Sequence, residues 1–362
     1  MALSYKRIVV KIGSNVLTQD NGMPDLARIQ HLVEQIAALK KAGKELIVVS
    51  SGAVASGRSL IRVSEKADAV TSRQLLASVG QVKLINTYSE LLSQHDLICA
   101  QVLVTKEDFR DRVHYLNMKN CFGALLQNNI IPIVNENDVI SVTELMFTDN
   151  DELAGLIASM LDADALLILS NVNGIYNGDP KDPGSEVIRE IGQDTTGFSS
   201  FVTTQRSQFG RGGMITKCHM AHKVAQLGIA VHIANGKTQH ILSKVLNEEE
   251  INTRFVPNKT ASGKKKWIAH SGSAAKGVVQ INAGAKAALT APKATSLLPV
   301  GVIKIMGDFQ KGDIIKLVDE NEKLVGQGIA EYGSDKARER IGQKNQKPLV
   351  HYDYLFLNAE IS

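Results

Sequence analysis

IIPIVNENDVISVTELMFTDND (residues 130–151) is the stretch whose reading decides the fold. Ile130 to Val134 is a continuous apolar run of the length of a buried strand. Directly after it, six Asn and Asp side chains (Asn135, Asn137, Asp138, Asp149, Asn150 and Asp151) crowd around a short apolar spacer. Asn and Asp are favoured turn formers, so a plain loop accounts for the cluster about as well as a site does. In an open α/β sheet, however, ligands bind in the crevice beyond the carboxyl ends of the strands, which is where this cluster would lie.

Working outward, the same pattern recurs. Further apolar runs, each of strand length, are Ile8 to Ile12, Leu46 to Val49, Ile98 to Val104, Leu166 to Leu169 and Ile229 to Ile233. Between the first two, Leu26, Ile29, Val33, Ile36 and Leu39 recur at helical spacing, and Gly43 supplies a stop. Helices are also predicted around Thr71 to Ser93, Val113 to Asn128, Asn150 to Leu161 and Gly213 to Leu227. Strands alternating with helices give an α/β domain with a mainly parallel sheet covered on both faces. The character changes after about Leu246. Asn247 to Lys266 is polar and basic and reads as a linker, and the short apolar runs beyond it (Gly277 to Ile281, Val300 to Met306, Ile314 to Val318 and Leu324 to Ile329) predict a small β-rich domain with little helix. We therefore expect a catalytic domain over 1–258, a linker over 259–272 and a second domain over 273–362.

Length agrees, because 362 residues exceed what one core usually serves. At 44% hydrophobic and 22% charged, the composition is that of a soluble globular chain, and no apolar run is long enough to span a bilayer. MALSYKRIVVK (1–11) shows no signal-peptide core, so the expected location is the cytoplasm. Cys99, Cys121 and Cys218 are scattered without metal-type spacing and read as reduced thiols. Residues 259–362 hold 16 Lys and Arg against 10 Asp and Glu, a mildly basic balance that a solvated surface explains as well as a polyanionic partner does. His219 and His222 share a predicted helix but have no carboxylate or Cys at ligand spacing, so no metal site is expected.

Four loops at strand ends carry residues suited to phosphate chemistry. Lys11-Ile12-Gly13-Ser14 sets an ammonium beside a glycine, so that a backbone N–H and a cation can meet one phosphate; it is not a Walker A loop. Ser50-Ser51-Gly52-Ala53 leads into more small residues, which allow a ligand close to the backbone. The third loop is the Asn/Asp cluster. In the fourth, Gly210-Arg211-Gly212-Gly213-Met214-Ile215-Thr216-Lys217, glycines open a helix N-terminus suited to anions, with Lys217 one turn in.

VVKIGSNVLT (9–18), VVSSGAVASG (48–57), QLLASVGQ (74–81), IPIVNENDV (131–139), TDNDELA (148–154) and GRGGMITK (210–217) together resemble the amino acid kinase family. KKWIAHS (265–271) and SLLPVGVIKIMGDFQKGD (296–313) resemble a PUA domain. NEND followed by DND at this spacing resembles the glutamate 5-kinase branch rather than the acetylglutamate, aspartate or carbamate kinases. The resemblance implies a three-layer α/β/α sandwich, followed by the small β-rich PUA domain, and phosphorylation of L-glutamate by ATP with Mg²⁺, at the entry to proline biosynthesis. It implies that Lys11 and Lys217 serve the transferred phosphoryl group and that Asp151 orients them. Ser51, Asp138 and Asn150 would hold glutamate, with Asn135 beside them. Gly13, Ser170, Asn171 and the run Arg211, Gly212, Gly213, Met214, Ile215, Thr216 and Lys217 would embrace the nucleotide.

The resemblance also implies proline as a feedback inhibitor, a homo-oligomer (dimer or tetramer) and a glutamyl phosphate reductase as functional partner. The chain departs from the family pattern at Asn171, where Asp is usual, and at Arg211, where Thr is common; both changes make the nucleotide pocket more cationic. Two other readings compete: an RNA-binding protein working through its PUA domain, disfavoured by the sparse aromatics of that segment, and a sister kinase of another amino acid.

Overall fold

The computed structural model describes residues 3–64, 67–141, 147, 149–180, 182–192, 214–258, 268–269, 275–291 and 295–357. Two compact units emerge, one of residues 1–108 and 113–260, the other of 109–112 and 261–362.

The first unit is built on an eight-stranded sheet. In chain order its elements are β1 (Arg7–Ile12), α1 (Ser14–Leu17), α2 (Leu26–Lys41), β2 (Glu45–Ser50), α3 (Ala53–Arg58), α4 (Ala69–Ser93), β3 (Cys99–Val104), α5 (Lys106–Arg110), α6 (Arg112–Gln127), β4 (Ile131–Glu136), α7 (Asn150–Met160), β5 (Ala165–Ser170), β6 (Glu190–Ile191), α8 (Met214–Gln226), β7 (Ala230–Asn235), α9 (Ile241–Leu246) and β8 (Thr253–Phe255). The strand order is β3-β4-β2-β1-β5-β7-β8-β6, parallel throughout except where β8 runs against β7. Strands buried on both faces need apolar residues at every position, which is why ALLILS of β5 and VV of β1 read as unbroken runs.

Side chains alternate along β1. Ile8, Val10 and Ile12 join a core with Ile29, Leu32 and Ile36 of α2 and Leu84 and Tyr88 of α4. Val9 and Lys11 point to the opposite face, where α7 packs on β1 and β5 and meets α8. That alternation fixes the direction of the Lys11 side chain.

The small residues after β2 serve packing. A Cβ on Gly80 of α4 would overlap the Ala53 carbonyl and the Gly57 nitrogen of α3, and one on Gly57 would overlap the Leu76 carbonyl. The two helices therefore touch backbone to backbone. Of the small residues after β2, Ala53 and Gly57 take part in that contact, and Gly52, at φ 109°, owes its glycine to the turn itself. Gly80→Ala is expected to cost roughly 1–3 kcal/mol by overpacking. An unchanged urea midpoint would refute the close contact.

Asn247 to Lys266 does not begin as a linker. Thr253 and Phe255 are fully buried in β8, a strand too short to stand out in a polar run. Residues 259–267 and 270–274, most of the expected linker, lie outside the described residues.

The second unit carries β9 (Gly277–Ile281), α10 (Ala283–Thr290), β10 (Val302–Met306), β11 (Ile314–Val318), β12 (Leu324–Ala330), α11 (Ser334–Glu339) and β13 (Val350–Leu357). They form a five-stranded sheet in the order β10-β9-β11-β12-β13, with β9 and β11 parallel and the other neighbours antiparallel. The β-rich expectation holds, with corrections. Helices α10 and α11 stand among the described residues, α10 being capped by Asn282, whose side chain accepts from the Ala285 amide at 2.8 Å. Pro299 turns Pro299–Gly301 into a 3₁₀ turn before β10, and β13 escaped the apolar pattern because Tyr352, Asp353 and Tyr354 interrupt it.

Candidate active site

The loops that follow β1, β2 and β4, together with the first turns of α7 and α8, converge beyond the carboxyl ends of the parallel strands. At their centre lies Asp151, in the first turn of α7 and fully buried. Its Oδ1 stands 2.5 Å from Lys11 Nζ and its Oδ2 2.5 Å from Lys217 Nζ. Both lysine side chains are largely buried, at 6% and 14% exposure. Burial alone would raise the Asp151 pKa, but the two ammonium groups outweigh it and hold the carboxyl down at about 2. Burial likewise opposes the charge on Lys217, and the Asp151 and Asp149 carboxylates overcome it, raising the amine above its ordinary 10.5. The outcome is two fixed cations sharing one carboxylate in a dry pocket.

A second group of side chains adjoins through Asn150, the neighbour of Asp151. Asn150 Nδ2 donates to Ser51 Oγ at 2.9 Å and to Asn135 Oδ1 at 3.1 Å. Asn135 Nδ2 donates in turn to Gln81 Oε1 of α4 at 2.9 Å. Asp138 is buried and already paired, because Arg73 of α4 donates to its Oδ1 from Nε at 2.8 Å and from Nη2 at 2.5 Å. Residues Asn135, Asn150, Ser51 and Asp138, expected together from the sequence, are thus brought to one region.

Four contributors were given no role from the sequence, although Asp149 stood in the Asn/Asp cluster there. Glu136 ends β4 with its carboxylate buried; its Oε1 accepts from Ser141 Oγ at 2.6 Å and from the Phe147 amide at 2.9 Å, so it anchors the Asn/Asp loop on both sides. Burial raises its pKa. Asp149 caps α7, accepting from the amides of Asp151 and Glu152 at 2.9 and 3.1 Å; a capping Asp before a helical run was a legible signal. Arg73 and Gln81 come from a helix more than fifty residues away, and nothing local marks them.

The Gly13 N–H donates to the Leu169 carbonyl at 3.2 Å, and a Cβ there would sit 3.2 Å from that oxygen and 3.5 Å from Lys11 Nζ. The glycine keeps the space beside the ammonium clear. Ser170 and Asn171 follow β5, with Ser170 Oγ 3.4 Å from Asn171 Oδ1. Met214, Ile215 and Thr216 open α8, whereas Arg211, Gly212 and Gly213 lie outside the described residues. The described residues contain no group of three metal-ligating side chains and no helix long and apolar enough to cross a membrane.

Comparison with known proteins matches residues 6–235 to the Amino acid kinase family. The chain belongs to the amino acid kinase family. This kinase also matches the PUA domain over residues 277–352, which is the second unit's sheet. It is 54% identical over 362 residues to a glutamate 5-kinase of Bacteroides thetaiotaomicron, covering 99% of this chain and 100% of the other. A glutamate 5-kinase of Chlorobaculum tepidum is 51% identical, with 98% of each chain covered. Among solved structures, a carbamate kinase from Giardia lamblia bound to AMP-PNP superposes with a TM-score of 0.51 over 70% of this kinase and 99% of that chain, at 20% identity, and so supports the fold alone.

Proposed function

We propose that the chain transfers the γ-phosphoryl group of ATP to the side-chain carboxylate of L-glutamate, giving L-glutamyl 5-phosphate, the first step of proline biosynthesis. The observation that carries this reading is the junction at Asn150 and Asp151. Consecutive residues join a pair of buried cations to a polar cradle of amide and hydroxyl groups. The curated relatives named as glutamate 5-kinases support it over nearly the whole chain.

The chemistry asks little of the protein beyond charge and position. A glutamate side chain with pKa near ~4.3 is already an anionic nucleophile at neutral pH, so no general base is required. Lys11 and Lys217 neutralise charge that grows on the phosphoryl oxygens, in a pocket where such contacts count for more than in water. Asp151 pairs with both amines and aims them, and its charge helps to keep Lys217 protonated. Ser51, Asn135 and Asn150 hold the acceptor, and Asp138 offers its carboxylate to the α-ammonium group, which an acetylated substrate lacks. Two buried ammonium groups beside a side-chain-free Gly13 fit a polyphosphate. Mg²⁺ fits as an ion carried on the nucleotide phosphates, where it supplies further charge neutralisation.

An ATP- and Mg²⁺-dependent hydroxamate assay tests the reading, since hydroxylamine traps an acyl phosphate. Activity is expected with L-glutamate and not with N-acetylglutamate or aspartate, and proline in the assay is expected to inhibit. Turnover of another acid with none of glutamate would overturn the substrate assignment. Asp138→Asn is expected mainly to raise the glutamate KM; an unchanged KM would mean that the ammonium group is read elsewhere.

A further inference from the structure

We infer that Arg73 and Asp138 form a two-sided reader of the free amino-acid head group, Arg73 binding the α-carboxylate while Asp138 binds the α-ammonium; the inference rests on the glutamate reading above. The pair is half used. Both Arg73 contacts with Asp138 go to Oδ1, and Nη2 also lies 3.4 Å from Glu136 Oε2. Arg73 Nη1 and Asp138 Oδ2 have no partner among the described residues. The guanidinium is a planar fork with donors on two edges, and one edge remains for a second carboxylate.

Charge favours a zwitterion here. Asp138 and Glu136 are buried at 8% and 5% exposure, while Arg73 is 32% exposed and reaches the open side of the cluster. A lone ammonium arriving at Asp138 would compete with Arg73 for one carboxylate. A head group bearing both charges gives each partner an opposite charge and leaves no ion unpaired in a buried place.

The scaffold places this reader next to the cradle. Arg73, Ala77 and Gln81 fall at i, i+4 and i+8 on one face of α4; its first end meets Asp138 and its last meets Asn135. The Gly80 contact with the α3 backbone fixes the rotation of α4.

The test separates contact from mere support of Asp138. With purified full-length protein, the glutamate KM is measured together with inhibition constants for 4-aminobutyrate, which lacks the α-carboxylate, and glutarate, which lacks the ammonium. Arg73→Met is expected to raise the glutamate KM and the glutarate inhibition constant about tenfold to a hundredfold, in line with losing a charged hydrogen bond. The 4-aminobutyrate constant is expected to stay within about threefold or to fall, since the charge–charge contact removed is not one it uses. Arg73→Lys keeps the charge without the fork and serves if the methionine variant does not fold; it is expected to show the same pattern at smaller amplitude. A rise for 4-aminobutyrate equal to that for glutamate, with glutarate unmoved, would show that Arg73 only aims Asp138 and would overturn the inference. If the unaltered protein does not phosphorylate glutamate at all, the underlying reading fails instead, and this inference falls with it.

Discussion

Lys217→Ala is expected to lower kcat by about 10²–10³-fold, with Lys11→Ala in the same range, by comparison with the loss of other preorganised charge contacts. Each amine sits 2.5 Å from Asp151 and is shielded from solvent, so its charge is spent on the pocket rather than on water. The glutamate KM should change far less, because Ser51, Asn135, Asn150 and Asp138 keep their own bonds. Steady-state rates at saturating substrate check this. Near-normal turnover in both variants would remove the lysines from the phosphoryl-transfer site and with them the proposed mechanism.

Asp151→Asn should have the second large effect, on stability and on the pH profile together. With its pKa drawn from 3.8 to about 2 in the folded protein, the Asp151 carboxylate contributes stability that is fully present above about pH 4 and is lost as pH falls toward 2. A shift of that size corresponds to roughly 2–3 kcal/mol. The asparagine variant loses this contribution at neutral pH and leaves two ammonium groups buried without their shared counter-charge, which costs more again. For Lys217 the sign reverses. Burial is the largest single influence on its pKa and pushes downward; with Asp151 gone, the main opposing charge is lost and the amine titrates lower than in the unaltered protein. Activity in the variant should therefore fall on the alkaline side at a lower pH than in the unaltered protein. Identical alkaline limbs would show that Asp151 does not control the lysine.

Much of this was legible in the sequence because parallel strands announce themselves. VVK, IVV, IPIV and LLIL are buried on both faces and admit nothing polar until they end, so the polar residues that follow mark the ligand edge. The Asn/Asp cluster and Lys11 were found in that way, and Lys217 from the glycines that open its helix. Elements whose burial is partial were not. β8 hides Thr253 and Phe255 in three residues, and β13 alternates tyrosines with polar groups. Arg73, Gln81 and the Gly57–Gly80 contact depend on which face of α4 turns inward, and that is decided by α3 and the sheet rather than by α4 itself. The use of Gly57 for packing was hidden for the same reason, since a small residue looks alike whether a ligand or a helix backbone fills the space beside it.

The ion pairs at Asp151 have a further consequence for the product. An acyl phosphate is an acylating agent, and here it would be made beside two primary amines. A neutral lysine would attack its carbonyl carbon, expel phosphate and leave an amide on the enzyme. An ammonium group has no lone pair with which to begin. By holding Lys217 charged, Asp151 protects the enzyme from its own reactive product.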